Sequence, residues 1–308
     1  MISDSAIQAM DIQKLYDELK TEFGQQIHFL PDKPEETIDS TLKACWQFAG
    51  GHPMSAEEAV KHPLPELDEV QVKVLYELLE QRTKNIPLAH LVGRQQFLGI
   101  EFLSDKRALI PRKETEILGQ KALELSHQIA KNKDMVQVMD ICCGSGNLGL
   151  AVAYCNPKVK LCASDLSEDA VSLAKDNRDL LGLKERVQVE SGDLFAPFDH
   201  EEYYGKINLI ICNPPYISSA KVKKMEEEIA VHEPVLAFDG GMFGFKIIQI
   251  LIEKAPEFLD ENGWLLFEVG LGQGDFIMQL CERTNKYGKI ESVVDDLGNI
   301  RVILAQKA

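Results

Sequence analysis

From about residue 113 to residue 306, short β-branched apolar runs and segments of helical period take turns along the chain. The helical pattern TEILGQKALELSHQIAKN leads into the strand pattern VQVMDI, a glycine-rich turn and the helix LGLAVAYC. VKLCASD, EDAVSLAKDNRDLLGL, RVQVESGD and INLIICN carry the pattern on. After a long loop come helix FKIIQILIEKAPEFLD, strand WLLFEVG, helix GDFIMQLCERTNKYG and two closing segments, KIESVV and IRVILAQ. Strands joined through helices run parallel, so this alternation predicts a doubly wound α/β sheet. The last two strands, joined only through DDLGN, are too close for a crossover helix and predict an antiparallel hairpin at the end of the sheet.

The first third is built differently. From about residue 5 to residue 90 apolar residues recur at helical spacing, most clearly as a stripe of Val70, Val74, Leu75, Leu78 and Leu79. PDKPEET and GGHPMS supply the proline and glycine that end helices, and Ser55 followed by Glu58 has the pattern of a capping box, so several short helices are predicted. VGRQQFLGIEFLSDKRALIPR loses the helical period and reads as a hairpin. The expected organisation is a helical domain over 1–91, a β-hairpin connector over 92–112 and an α/β domain over 113–308. A chain of 308 residues suits two such domains without disulfides.

Charge narrows the partners. The net charge is −16, and residues 1–92 hold 8 basic and 16 acidic side chains, half of that excess in under a third of the length. Broad nucleic-acid binding needs positive charge and is not expected, whereas a basic protein partner fits. The amino terminus, broken by Asp4, Asp11, Lys14 and Asp17, lacks the apolar core of a signal peptide, and no stretch is apolar enough to span a membrane. The seven cysteines show no paired CxxC spacing, so reduced thiols, no metal and a cytoplasmic location are expected.

Two segments carry the chemistry. In Asp140-Ile-Cys142-Cys143-Gly144-Ser145-Gly146-Asn-Leu-Gly149 a strand turns into a helix, where glycines let a ligand approach the backbone and the helix N-terminus is positive. Gly144, Gly146 and Gly149 also spell the dinucleotide fingerprint, so two cofactors remain open at this turn. Asp165, 19 residues past Gly146 at the next strand end, offers paired acceptors to a ribose diol under either reading, with a plain helix cap as the alternative. Asp140 leans toward the cation: S-adenosylmethionine carries a sulfonium and an ammonium and no phosphate. Asp193, closing the third strand, can accept from an adenine amine.

The second segment is Asn213-Pro214-Pro215-Tyr216, directly after the buried-strand pattern INLIIC. Asn213 is held extended by the proline that follows it and presents an amide acceptor. Pro214 adds a carbonyl beside it, and Tyr216 a flat wall. The set suits a planar NH2 group whose two hydrogens are bound while its nitrogen faces a methyl donor.

These residues, with LIPRKETE (109–116) upstream and HEPVLAFDGGMFG downstream, make residues 70–308 resemble the protein-(glutamine N5) methyltransferase family. The resemblance implies a seven-stranded, Rossmann-like class I methyltransferase fold with an antiparallel last strand, S-adenosylmethionine as cofactor, and methylation of a glutamine amide in a translation protein. By the same resemblance Asn213, Pro214, Pro215 and Tyr216 hold the glutamine, with Asn213, Pro214 and Tyr216 catalytic. Asp140, Cys142, Cys143, Gly144, Ser145, Gly146, Asp165, Asp193, Leu194 and Asn213 line the cofactor site.

Family members more often carry glycine at the Cys142 position, and a cysteine there is similar to the branch acting on a large-subunit ribosomal protein. IPRKETE and FEVGLGQG are similar to the branch acting on class 1 release factors at a Gly-Gly-Gln tip. Leu194 stands where an aromatic residue often flanks the adenine. A monomer is expected.

Three rival readings fit less of the sequence. Methylation of an exocyclic base amine in RNA or DNA shares the Asn-Pro-Pro-Tyr logic but sits badly with the charge. A dinucleotide-dependent oxidoreductase leaves Asn213 to Tyr216 without a task, and a non-catalytic module leaves Asp140, Asp165 and Asn213 unexplained. Lys221, Lys223, Lys224 and Glu226 to Glu228 form a charged loop after Tyr216, placed to contact substrate or to close over the site.

Overall fold

A computed structural model of the chain describes residues 12–215, 233–234 and 245–308. The chain divides into two compact units, with the boundary after Gln96.

The first unit contains helices α1 (Ile12–Phe23), α2 (Ile38–Ala49), α3 (Ala56–Ala59), α4 (Glu69–Thr83) and α5 (Leu88–Val92) among the described residues. Local caps account for where they start. Thr37 and Ser40 cap α2 reciprocally at 3.1 and 2.8 Å, and Asp68 and Gln71 do the same for α4 at 2.8 and 2.9 Å. The predicted box at Ser55 forms by half. Its hydroxyl accepts from the Glu58 amide at 3.2 Å, but the Glu58 carboxylate turns to the Lys61 ammonium, a stronger charged partner, at 2.8 Å and to the His62 ring at 3.0 Å.

Leu19, Leu42, Trp46, Leu75 and Leu79 make the core of this unit. Val70, predicted on the apolar stripe, is 68% exposed at the first turn of α4. At the other end the stripe continues into Arg82, whose buried guanidinium meets Glu36 at 3.0 Å and the His28 carbonyl at 3.1 Å.

A hairpin follows, β1 (Arg94–Phe97) with β2 (Ile100–Leu103). Leu98 and Gly99 between them both have positive φ, 51° and 76°, as a tight two-residue turn matched to strand twist requires. Pairing ends at Leu103, so the strand part of the predicted 92–112 segment is only its first half. The rest is a loop in which Arg107 forks between Asp105 and Asp176, followed by a 3-10 turn at Lys113–Thr115.

The second unit holds α6 (Glu116–Ala130), β3 (Val136–Ile141), α7 (Asn147–Cys155), β4 (Val159–Asp165), α8 (Glu168–Leu180), β5 (Val187–Ser191) and β6 (Ile207–Cys212). It continues with α9 (Lys246–Phe258), β7 (Leu259–Glu268), α10 (Gly274–Arg283), β8 (Tyr287–Val294) and β9 (Ile300–Lys307). Its seven strands lie in the order β5-β4-β3-β6-β7-β9-β8. The first five are parallel, and β9 inserts antiparallel to both neighbours.

Alternation along β3 sends Val136 and Val138 into a core shared with α6, α7 and α8, and Met139 and Ile141 into one shared with α9 and α10. The chain runs outward from β3 through β4 to β5, then jumps back to β6. Strand order therefore reverses between β3 and β6, where doubly wound sheets open a crevice at the strand ends.

The helix predicted through Asp260 stops at Phe258, and β7 begins at Leu259. Ile207 pairs with Leu259 but Leu209 with Trp264, so the intervening residues bulge out of the ladder. Asn262 takes φ 64° there, and Asp260 turns its carboxylate to the Asn208 amide at 2.6 Å. Among the described residues no helix is long and apolar enough to cross a membrane.

The buried pair in the first unit gives a stability prediction. Arg82→Met leaves Glu36 buried without its cation and should destabilise the helical unit by roughly 3–5 kcal/mol, whereas Arg82→Met with Glu36→Leu should recover most of that loss. Urea unfolding followed by Trp46 fluorescence in a Trp264→Phe background checks both.

Candidate active site

The cavity at the carboxyl ends of β3, β4 and β6 is lined by Asp140, Cys142 to Ser145, Asp165, Asp193, Leu194, Asn213 and Pro215, with Arg107 to Thr115 contributing from the upstream loop. Its floor is the glycine-rich turn. The Cys143 amide donates to the Ser164 carbonyl at 3.0 Å, and the Gly144 amide donates to Asp165 Oδ2 at 2.8 Å, so the turn is tied to the end of β4. Gly146 caps α7 with φ 80° and does not itself line the cavity.

Asp165 is not the cap of α8. Ser167 takes that place, accepting from the Ala170 amide at 3.2 Å, while Asp165 Oδ1 accepts from the Ser167 amide at 2.9 Å. Burial raises the Asp165 pKa, against the opposing pull of these amides.

Asp140 is the most unusual group in the cavity. Its Oδ2 accepts from the Gly149 amide at 2.9 Å, and its Oδ1 is buried with no hydrogen-bond partner among the described residues. Burial pushes its pKa up to about 8 although the Gly149 bond favours the charged form. A carboxylate oxygen left bare in a cavity is satisfied by a cation. S-adenosylmethionine, with two cationic groups, fits the acceptor set of Asp140, Asp165 and Asp193, whereas a pyrophosphate would face three carboxyls.

Asn213 follows the last residue of β6 and is half-buried. Its Nδ2 donates to Thr115 Oγ1 at 3.1 Å, and the Thr115 hydroxyl donates to Glu268 Oε2 at 2.7 Å. Arg301 bridges Glu268, at 3.4 Å, and Glu114, at 2.8 Å. Upstream, Glu233 accepts from the Ile110 amide at 2.9 Å and pairs with Arg112 at 2.6 Å. The segment 109–116 is thus fastened to three distant parts of the chain.

Most of the residues predicted for the site converge on the cavity. Pro214 is buried and, like Gly146, lies outside the lining, and Asp193 sits exposed at the rim. Tyr216, the charged loop after it and HEPVLAFDGGMFG apart from Glu233 and Pro234 lie outside the described residues. Cys143 is buried and its thiol is raised well above the ordinary value by that burial, which makes it an inert lining group.

Several contributors carry no local sequence signal of their role. Thr115 and Glu268 lie inside IPRKETE and FEVG, and only the fold brings them together. Asn177 is a fully buried amide in α8 that ties the Leu103 backbone to the Ser145 carbonyl. Its only sequence signal was an amide on an otherwise apolar helix face.

Residues 121–244 match the family model described as Methyltransferase small domain. The chain is 30% identical over 241 residues to the release factor glutamine methyltransferase of Clostridium acetobutylicum, covering 78% of this chain and 82% of that one. It is 32% identical over 244 residues to the protein of the same name from Thermodesulfovibrio yellowstonii, covering 79% and 85%. Among solved structures, the hMettl16 catalytic domain in complex with the MAT2A 3'UTR hairpin 6 superposes with a TM-score of 0.53 at 12% identity, covering 71% of this chain and 79% of that one, which shows a shared fold.

The state of Asp140 predicts a pH dependence. An acid with a pKa of about 8 when folded, and near 4 when unfolded, holds an extra proton in the folded state between those values. The folded state then loses stability relative to the unfolded chain as pH rises through that window. Asp140→Asn cannot ionise. Without ligand, its melting temperature should rise relative to the parent protein as pH increases from about 5 to about 8, a trend that scanning calorimetry at several pH values would test.

Proposed function

The chain belongs to the release factor glutamine methyltransferase family, and from that premise we propose that it transfers a methyl group from S-adenosylmethionine to the side-chain amide of a glutamine in a class 1 release factor. The observation that carries the reading is the Asn213 carboxamide, fixed at the end of β6 on the same cavity that holds the bare oxygen of Asp140. Bound there, S-adenosylmethionine supplies an electrophilic methyl on a sulfonium.

The residues of the chain divide the remaining work. Asp140 faces cationic charge, Asp165 accepts from the ribose hydroxyls, Asp193 and Leu194 border the adenine, and the backbone from Cys142 to Gly146 forms the floor. Asn213 Oδ1 and the Pro214 carbonyl accept the two hydrogens of the glutamine amide, with Pro215 and Tyr216 as walls. An amide nitrogen is a poor nucleophile because its lone pair is delocalised into the carbonyl. Acceptors that hold its hydrogens best as nitrogen turns tetrahedral favour the transition state over the ground state. As the N–CH3 bond forms, the S–CH3 bond breaks to leave a neutral thioether. The surplus proton on the methylated nitrogen becomes strongly acidic and passes to water, so no strong base is needed. The rigid Asn-Pro-Pro backbone supplies the in-line positioning.

Residues 1–91 are assigned to recognition of the protein substrate, 92–112 to the connection and 113–308 to catalysis. The acid excess of the first segment suits a basic, RNA-associated partner. The free thiols suit the reducing cytoplasm.

Incubation with purified class 1 release factor and S-adenosylmethionine, followed by peptide mass spectrometry, should show one added methyl on a glutamine. A large-subunit ribosomal protein run in parallel distinguishes the other branch, and methylation there alone would overturn the substrate assignment. Asn213→Ala should lower kcat/KM by roughly 100-fold while cofactor affinity changes little. Full activity in that variant would sink the mechanism.

A further inference from the structure

We propose that Thr115 and Glu268 are positioning residues that decide which end of the Asn213 carboxamide faces the substrate; the inference rests on the methyl-transfer reading above. A carboxamide has a donor end and an acceptor end of nearly the same shape, and a half-turn about its last bond exchanges them. Only the orientation with oxygen toward the cavity can accept a hydrogen from a glutamine NH2. Something must choose between the two.

The hydrogen-bond chain makes that choice by counting protons. Glu268 is buried at the end of β7 with Arg301 beside it, so its carboxylate oxygens serve as acceptors. The Thr115 hydroxyl has a single hydrogen, and at 2.7 Å from Glu268 Oε2 that hydrogen is committed to the carboxylate. Only lone pairs remain on Thr115 Oγ1 to face Asn213. The NH2 end of Asn213 satisfies them at 3.1 Å, whereas the reversed amide would set oxygen against oxygen. Direction is therefore passed from Glu268 through Thr115 to Asn213, and the acceptor is left facing the substrate.

The device is held at both ends. Arg301 grips Glu268 and also Glu114, the neighbour of Thr115, so one guanidinium fixes the carboxylate and the turn that carries the hydroxyl. Neither Thr115 nor Glu268 needs to touch the reacting atoms.

Three variants test the idea against Asn213→Ala and the parent enzyme, with a release factor as methyl acceptor. Thr115→Val keeps the shape and removes the hydroxyl, and kcat should fall about tenfold. Glu268→Gln should fall in the same direction although Thr115 is intact, because a carboxamide at that place can donate to Thr115 and release its hydrogen toward Asn213. Thr115→Ser should stay within about threefold of the parent. S-adenosylmethionine affinity by calorimetry should change little in all three, and melting temperature should change little in Thr115→Ser. In the ligand-free protein, the Asn213 side-chain NH2 signals, identified by their absence in Asn213→Ala, should lose exchange protection in Thr115→Val.

Parent-like kcat in Thr115→Val or in Glu268→Gln overturns the proposal, as does a fall in kcat matched by equal losses of cofactor affinity and thermal stability. A parent enzyme that methylates no glutamine would instead defeat the functional reading, and the NH2 protection would still report on the device by itself.

Discussion

The contact between β3 and α7 at Asp140 and Gly149 sets the geometry on which the cavity depends. The Gly149 amide lies 2.9 Å from the Asp140 carboxylate, and a Cβ at Gly149 would stand 2.7 Å from the same oxygen and 2.9 Å from Leu161. Helix and strand are consequently closer here than any other residue would allow, and the turn between them is drawn tight over the strand ends. The same contact spends only one of the carboxylate's two oxygens. Burial that would otherwise be costly is converted into an attraction for positive charge.

Substrate-side geometry has a different origin. Nothing in the sheet alone requires residues 109–116 to lie near Asn213, yet Glu233, Asn213 and Arg301 each hold that segment by side-chain bonds. Motifs spread over nearly 200 residues of sequence meet as one hydrogen-bonded strap at the switch point between β3 and β6. This explains why IPRKETE, NPP and FEVG occur as a set: each supplies a partner that the others would leave buried and unsatisfied.

Period and punctuation made most of the second unit legible, including the antiparallel ending, because DDLGN is too short for anything but a hairpin. The misreadings have local causes. Val70 fits the helical period but falls in the first turn of α4, where the stripe has not yet reached the core. Arg82 carries no local signal of its burial, since its partner Glu36 is 46 positions away. The start of β7 was hidden because DENG is turn chemistry, and here the turn is a bulge inside the strand. In the site, residues whose chemistry is local to a motif were identified. Thr115 and Glu268 were not, because their roles arise from a partner 98 or 153 positions distant.

Backbone strain completes the account of the cavity. Of the non-glycine residues with positive φ, Cys142 at 61° and Leu194 at 49° both line it. Left-handed backbone costs about 1–2 kcal/mol at such residues and persists only where the surroundings enforce it. Ser164, fully buried at the end of β4, enforces both. Its carbonyl accepts from the Cys143 amide beside one strained residue, and its hydroxyl donates to the Leu194 carbonyl at 2.6 Å in the other. One small side chain between two strand ends therefore aligns the floor and the rim of the cavity together. This chain keeps a side chain at Cys142, where the left-handed backbone favours none, and Ser164 holds the turn from behind.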